Sequence, residues 1–420
     1  MLKKKKEVTK RNSLLFILLL ITVLSIPLLI KKDNEANNQK LLATQILNHY
    51  DILVKTNKVS KIYTYNGKQY VESGKIGINQ IIYLSNQVLT YNNIYYKIVN
   101  FDGDYYISYE DVAPIEENIK IDDRYRNYIP FNESIVINGK VNFYDKDDNM
   151  VYNLNLNKTF PILIKYDDYY GIEYNQMLLK IKKEDISHII EENNSSLIPI
   201  SSIAVLNYHF FYDETKENET KECNQMICHS KKQFKSHLAY IKDNNIFTPT
   251  MEEFQLFLDN RINLPKSVLI TIDDGWRMQQ GIDLLEEYQL NGTVFLITSW
   301  FKDIPFLNDY KYVEFHSHGD KLHDVGVCPG GQGGAIKCLS KEKLLADLAL
   351  SRQKLNGSKV FCYPFYEYNN YSIEVLKEAG FKLAFTGGEY STTPESNKYK
   401  LPRYVITNNT SVEQLKKIIG

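Results

Sequence analysis

Two adjacent carboxylates, Asp273 and Asp274, follow the apolar run SVLITI and precede Gly275. Further along, the run YVEFHSH ends in His316, Ser317 and His318, and His323 stands five residues beyond His318. The run KVFC leads into Tyr363-Pro364-Phe365. Neighbouring side chains at a strand end point different ways, so the two acids can hold different tasks, one binding a metal and the other handling protons. A metal held by two imidazoles and one carboxylate keeps coordination positions open for water and substrate. Such a metal polarises a carbonyl and lowers the pKa of bound water, so the set reads as a centre for metal-assisted hydrolysis. An Asp-Asp-Gly or a His pair alone is common; their recurrence at the ends of successive strand-like runs carries the reading.

The elements that must position these residues lie between about 200 and 420. IAVLNYHFF, SVLITID, TVFLIT, YVEFHSH, KVFCYPF and FKLAFTGG read as buried strands. KQFKSHLAYIKDNN, MEEFQLFLDN, GIDLLEEYQLNG, KEKLLADLALSRQKLNG, YSIEVLKEAG and SVEQLKKII carry helical periodicity between and after them, with Thr250 and Glu253 forming a capping box before the second. Such alternation predicts a parallel α/β architecture with its site at the C-terminal ends of the strands. Residues 59–190 show short alternating runs instead, with turn residues such as Asn66-Gly67. A weak internal repeat pairs the segment from Tyr95 to Ile115 with that from Phe160 to Ile189, each a strand, a turn with Asp, a Tyr-rich strand and a short acidic ending. It resembles bacterial SH3-like modules of cell-wall proteins; wall-glycan binding through tyrosine faces and a simple β-rich spacer are the two readings.

The net charge of −1 excludes a basic nucleic-acid footprint. It averages two unlike parts. Eight lysines and arginines against Glu7 give +7 over the first 32 residues, leaving −8 for the rest. From Asn12 to Ile30 no residue is charged, and such a helix would extend about 28 Å, one bilayer core. The reading is a cytoplasmic tip at 1–11, a transmembrane anchor at 12–30, a stalk at 31–58 and a body outside the cell membrane, N-terminus inward. A cleaved signal peptide and a secreted body is the alternative. Outside the cell, Cys223 with Cys228 and Cys328 with Cys338 read as disulfides, leaving Cys362 unpaired. A zinc site from Cys223, Cys228 and His229 is the alternative for the first pair. The segment GVCPGGQGGAIKC, with five glycines, lacks the ending of a phosphate loop and reads as a rim beside the site.

TIDDGW, HSHGDKLH and YPFYEY resemble the signature blocks of the polysaccharide deacetylase family, the NodB-homology or carbohydrate esterase family 4 domain, nearest to its poly-N-acetylglucosamine deacetylase-like variants. The resemblance covers about residues 200–420 and implies a distorted (β/α) barrel. It implies Asp273 as general base, with Asp274, His318 and His323 as ligands of a divalent metal, zinc or else cobalt or manganese. A competing register would use His316 in place of His318. Tyr363, Pro364, Phe365 and Tyr366 are implied beside the acetyl pocket, with Trp276 on the substrate and the Tyr366 N–H or a neighbour on the oxyanion. The implied reaction releases acetate from an N-acetylated cell-surface glycan, peptidoglycan or a poly-N-acetylglucosamine-like polymer. The chain departs from the family pattern twice. Cys362 stands where the third block carries an Arg that orients the base, which makes Arg403 the substitute. No His follows His323 to supply the usual late acid, which leaves His209, His316 or protonated Asp273. An O-acetyl esterase would use the same four residues, and a non-catalytic wall-binding protein is the third reading.

Overall fold

The computed structural model describes residues 52–91, 93–99, 101, 103–115, 123–223 and 225–420. The expected anchor at 12–30 lies outside them. Among the described residues no helix is long and apolar enough to cross a membrane. The chain divides into two compact units, Met1–Glu117 and Asn118–Gly420.

The described strands of the first unit are seven and pair antiparallel. They are β1 (Ile52–Thr56), β2 (Ser60–Tyr65), β3 (Tyr70–Ile76), β4 (Ile81–Tyr91), β5 (Asn93–Ile98), β6 (Tyr105–Ser108) and β7 (Val112–Pro114). Within this unit they pair in the order β3-β2-β6-β5-β4-β1-β7. β1 falls inside the stretch expected as stalk: Val54 is buried beside β4, because ILV supplies an apolar strand the polar surroundings conceal. The Asn66-Gly67 turn joins β2 to β3 as its sequence predicts, with Gly67 at φ 88°. Tyrosines largely pack on one another: Tyr70 lies 4.3 Å from Tyr95 and 5.2 Å from Tyr106, ring centre to ring centre.

The second unit opens with β8 (Glu133–Tyr144), β9 (Met150–Pro161), β10 (Ile164–Lys165), β11 (Tyr169–Tyr174), β12 (Met177–Lys182) and β13 (His188–Glu191). The order is β10-β11-β12-β8-β9, with β13 also on β8. A short 3-10 turn at Tyr109–Asp111 and another at Lys183–Asp185 each follow a strand and lead into a last short one, but β12 stands between the Tyr-rich strand and the turn in the second copy only. This β module shares a core with the α/β elements C-terminal to it, since Tyr125, Leu163 and Ile164 are buried with Phe254, Phe257 and Ile262.

The remaining elements alternate as the sequence predicts. They are β14 (Ala204–Tyr208), β15 (Phe210–Tyr212), α1 (Glu217–Glu222), β16 (Cys228–Ser230), α2 (Lys231–Asp243), α3 (Met251–Leu258), β17 (Val268–Ile272), α4 (Gln279–Tyr288), β18 (Gly292–Leu296), β19 (Val313–Ser317), α5 (Lys341–Lys354), β20 (Val360–Cys362), α6 (Asn370–Glu378), β21 (Leu383–Phe385), β22 (Tyr404–Val405) and α7 (Val412–Ile419). Seven strands form a parallel sheet, β21-β20-β19-β18-β17-β14-β22. β14, β17 and β18 are buried at every residue, as strands covered on both faces must be, which explains their unbroken apolar runs. The segment 398–405 touches both ends of the sheet. Leu401 bridges to Phe385 of β21, while Tyr404 and Val405 pair with β14. Helix α3 begins with the expected capping box of Thr250 and Glu253. Glu253 also accepts from Arg124 and Tyr128, tying the β module to that helix.

Both expected disulfides are present, Cys223–Cys228 and Cys328–Cys338, and Cys362 is free and buried. The alternative zinc set is thereby excluded for Cys223 and Cys228, whose sulfurs are bonded to each other.

Candidate active site

Four strand ends deliver the chemistry. After Ile272 the chain breaks out of β17: the Asp273 N–H still donates to the Tyr208 carbonyl (2.9 Å), whereas Asp274 is left-handed at φ 73° and Gly275 comes next at φ 93°. A Cβ at 275 would sit 2.7 Å from Leu296, so this turn requires glycine. The break separates the tasks of two adjacent carboxylates.

Asp273 meets Arg403. Nη1 donates to Oδ1 and Nη2 to Oδ2, both at 2.7 Å, and both residues are buried. The guanidinium also donates to Thr271 Oγ1 and to the Thr386 carbonyl, each at 3.2 Å, which locks its plane. Burial by itself would raise the Asp273 carboxyl, but the charge and hydrogen bonds of Arg403 outweigh it and hold the group well below the usual carboxylate range. Cys362 lies against both, its sulfur 3.0 Å from Arg403 Nη2 and 3.4 Å from Asp273 Oδ2. Burial pushes that thiol up, so it stays protonated.

Asp274 faces the imidazoles. Its Oδ1 lies 3.2 Å from His318 Nε2 and 3.3 Å from His323 Nε2, yet this buried oxygen accepts no hydrogen bond. A buried carboxylate oxygen without a partner is costly. Here it and two imidazole nitrogens converge within 4.8 Å of one another, a donor set that fits a divalent cation. His318 is oriented by its Nδ1–H, which donates to the Cys362 carbonyl at 2.8 Å and leaves Nε2 turned inward. A second grouping, Asp273, His318 and Cys362, is also close. It fits a cation poorly, because both Asp273 oxygens are held by Arg403 and the thiol is protonated.

The loop from His318 to His323 is held from outside. The N–H groups of Asp320 and Lys321 donate to the two oxygens of Asp347 on α5, at 2.8 and 2.7 Å. Asp320 Oδ1 in turn accepts from Thr298 and Lys354, each at 2.7 Å. His316 is turned elsewhere, with Nδ1 2.8 Å from Ser358 Oγ and Nε2 3.6 Å from Glu314. The register that used His316 as a ligand therefore does not match the geometry, nor does His316 stand among the groups around Asp273.

His209 lies just past β14 and is buried. Its Nε2 lies 3.4 Å from the Tyr366 hydroxyl and its Nδ1 has no partner; burial lowers its pKa, so it is neutral at pH 7. The Tyr366 hydroxyl donates to Asn207 Oδ1 at 2.7 Å. Phe365 and Tyr366 are both left-handed, at φ 57° and 60°, a strained pair for residues with side chains. The Tyr366 N–H, expected on the oxyanion, donates to the Tyr363 carbonyl at 3.0 Å and closes this turn, so it is not available. Tyr363 departs likewise: its side chain is buried in the core and its hydroxyl donates to the Tyr399 carbonyl at 3.1 Å. Pro364 is buried and shapes the turn, while the ring of Phe365 packs against that of His323, tilted by 43° with centres 4.2 Å apart. Trp276 is exposed and edges onto Phe210 at 4.8 Å.

Several residues here carry no sequence signal strong enough to single them out. Asn207 and Thr271 look like ordinary strand positions. Trp300, half exposed and 6.2 Å from His323 between ring centres, is one of only two tryptophans in the chain, and that rarity is its one signal. Asp347 and Glu367 act through backbone N–H groups, which leave no motif.

Fold and site together define an α/β domain with a cluster of carboxylates and imidazoles where its parallel strands end. Residues 261–384 match the family model for polysaccharide deacetylase, and the chain carries a polysaccharide deacetylase domain. It is 24% identical over 282 residues to poly-beta-1,6-N-acetyl-D-glucosamine N-deacetylase of Staphylococcus aureus, covering 58% of this chain and 93% of that protein. The namesake from Staphylococcus epidermidis is 25% identical over 280 residues, 58% of this chain and 94% of the relative. Among solved structures, deacetylase PplD of Streptococcus pyogenes in complex with acetate is similar over 53% of this chain and all of that one, at 19% identity and TM-score 0.44. IcaB from Ammonifex degensii is similar over 53% and 98%, at 18% identity and TM-score 0.43. A polysaccharide deacetylase from Bacillus cereus is similar over 83% and 100%, at 16% identity and TM-score 0.42.

Proposed function

We propose that the chain is a metal-dependent N-deacetylase of a cell-surface polymer of N-acetylhexosamine. The observation that carries this reading is the pairing of two unlike centres side by side: an ionised Asp273 clamped by Arg403, and Asp274 with an unpartnered oxygen facing His318 and His323. Asp274, His318 and His323 would hold a divalent cation, for which zinc suits two imidazoles and a carboxylate. Bound there, the cation supplies Lewis-acid polarisation of the acetyl carbonyl and acidifies water. Asp273 accepts the proton of the attacking water, and Arg403 keeps that carboxylate ionised and aimed until it does so. The proton then passes to the departing amine, from Asp273 itself or through His209, which lies just past β14 beside the Tyr366 hydroxyl, whereas His316 is turned to Ser358 and Glu314. Trp276 and Trp300 offer exposed aromatic faces for sugar rings. The substrate for which the staphylococcal relatives are named makes a poly-N-acetylglucosamine-like polymer the first to test, peptidoglycan the second.

The same reading places the catalytic domain outside the cell, tethered through residues 12–30 with the N-terminus in the cytoplasm. The β-rich, SH3-like region would act as a spacer, since its tyrosines stack mainly on one another. The distorted barrel fits the way 398–405 reaches both edges of the sheet.

The test is to incubate the full chain with zinc and a panel of N- and O-acetylated polymers. Acetate with an equal yield of new primary amines is the expected outcome. Acetate without amines would establish the O-esterase reading, and no acetate from any polymer would leave the wall-binding one.

A further inference from the structure

The loop 326–338 does more than line the mouth. It is closed by Cys328–Cys338 and anchored by buried Ala335 and Ile336. Its backbone converges on one side chain, Glu367. The Gln332 N–H donates to Oε1 at 2.5 Å and the Gly334 N–H to Oε2 at 2.7 Å, while Lys337 Nζ lies 2.8 Å from Oε2. The loop is cut to admit that carboxylate. A Cβ on Gly331 would fall 1.7 Å from Oε1, and one on Gly334 would fall 3.0 Å from Oε2. Glu367 comes immediately after the two left-handed residues Phe365 and Tyr366, and the Phe365 ring packs at a tilt against His323, 4.2 Å between centres. A strained turn persists only where its surroundings over-determine it. On its other side the turn is held by Thr386 Oγ1, which donates to the Tyr366 carbonyl at 2.8 Å.

We propose that Glu367 is a positioning residue: seated in the disulfide-closed glycine loop, it holds the Phe365-Tyr366 turn and thereby fixes the His323 ring in the cluster with Asp274 and His318. This rests on the assignment of His323 to the active centre but not on turnover. The Glu367 carboxylate bonds to the loop through Gln332, Gly334 and Lys337, so it acts on His323 through Phe365.

The measurement is the ring-current shift that Phe365 imposes on the His323 ring protons, read by NMR on the histidine-labelled full chain with and without zinc. Phe365→Leu sets the value expected when the ring contact is lost. In Glu367→Gln, which cannot accept from two N–H groups and a lysine at once, the shift moves toward that of Phe365→Leu. kcat then falls about tenfold with KM little changed, the scale seen when a group orienting a ligand is removed. Glu374→Gln, which removes a surface carboxylate from the next helix, leaves the shift unchanged. Should Glu367→Gln not fold, the double variant Cys328→Ser with Cys338→Ser and the single variant Lys337→Met ask the same question by loosening the loop. A His323 shift equal to wild type in folded Glu367→Gln, or in both loop variants, overturns the proposal. If no variant, wild type included, releases acetate, the deacetylase reading fails while the NMR outcome still decides this one.

Discussion

Arg403 stands near the end of the chain and Asp273 well before it, yet they form the most enclosed ion pair of the described residues, at 0% and 2% side-chain exposure. Removing one partner leaves an uncompensated buried charge, at a cost of about 3–5 kcal/mol. Arg403→Met should therefore destabilise the fold by that order in chemical denaturation. It should also move the acid limb of kcat/KM to higher pH, because Asp273 then loses what keeps it ionised. Asp273→Asn, which keeps the shape, should lower kcat by a factor of about 10²–10⁴ while zinc binding, read by chelator competition, persists. The pH dependence of stability has a definite sign. The folded pKa of Asp273 is depressed, so its contribution is complete above the ordinary carboxylate value of about 3.9 and is lost as pH falls through the folded value. The difference in denaturation midpoint between wild type and Asp273→Asn should thus hold steady from neutrality down to mild acid and shrink only below it; a difference already shrinking between neutrality and mild acid would contradict this.

At the scale of elements, helix α5 and the loop it supports set the spacing of the candidate metal ligands His318 and His323. His323 lies five residues beyond His318, and the path between them is fixed by Asp347, whose two oxygens receive consecutive backbone N–H groups. Asp347→Ala removes both acceptors and none of the candidate ligands. Zinc affinity should weaken by about 10–100-fold, as found for groups that orient ligands, with little change in far-UV circular dichroism. Unchanged affinity would mean that the loop holds its course through Asp320, Thr298 and Lys354 alone. The periodicity of the sequence places nearly all of these helices and strands, because buried parallel strands and one-sided helices have unmistakable patterns. It does not show which loops carry strain. The left-handed Phe365 and Tyr366 have aromatic side chains that ordinarily avoid that region, so no propensity points to them.

At the scale of the whole molecule, the boundary between units falls at Glu117 and Asn118, so the second β module belongs with the catalytic elements. Tyr125, Leu163 and Ile164 of that module are buried against α3 and the loop after it, and Arg124 and Tyr128 hold Glu253. A chain of residues 118–420 should stay soluble, fold cooperatively and keep the zinc affinity of the full chain. A chain of residues 200–420 exposes Phe254, Phe257 and Ile262, each worth about 1.5–3 kcal/mol when buried, and should aggregate or melt many degrees lower. Thermal melts of the two chains decide the matter; equal melting temperatures would mean the module is dispensable.

The residue types and their order were enough to place Asp273, Asp274, His318 and His323 at strand ends, because a parallel sheet writes its strands as apolar runs and gathers the residues just past each strand at one mouth. The resemblance to the family's blocks, with Cys362 where an Arg is usual, nominated Arg403 close to a late strand end. Which imidazole turns inward, that the Tyr366 N–H is already taken, and that Tyr363 belongs to the core were decided only by tertiary structure. Those are questions of direction and of partners distant in the chain, and a one-dimensional pattern records neither.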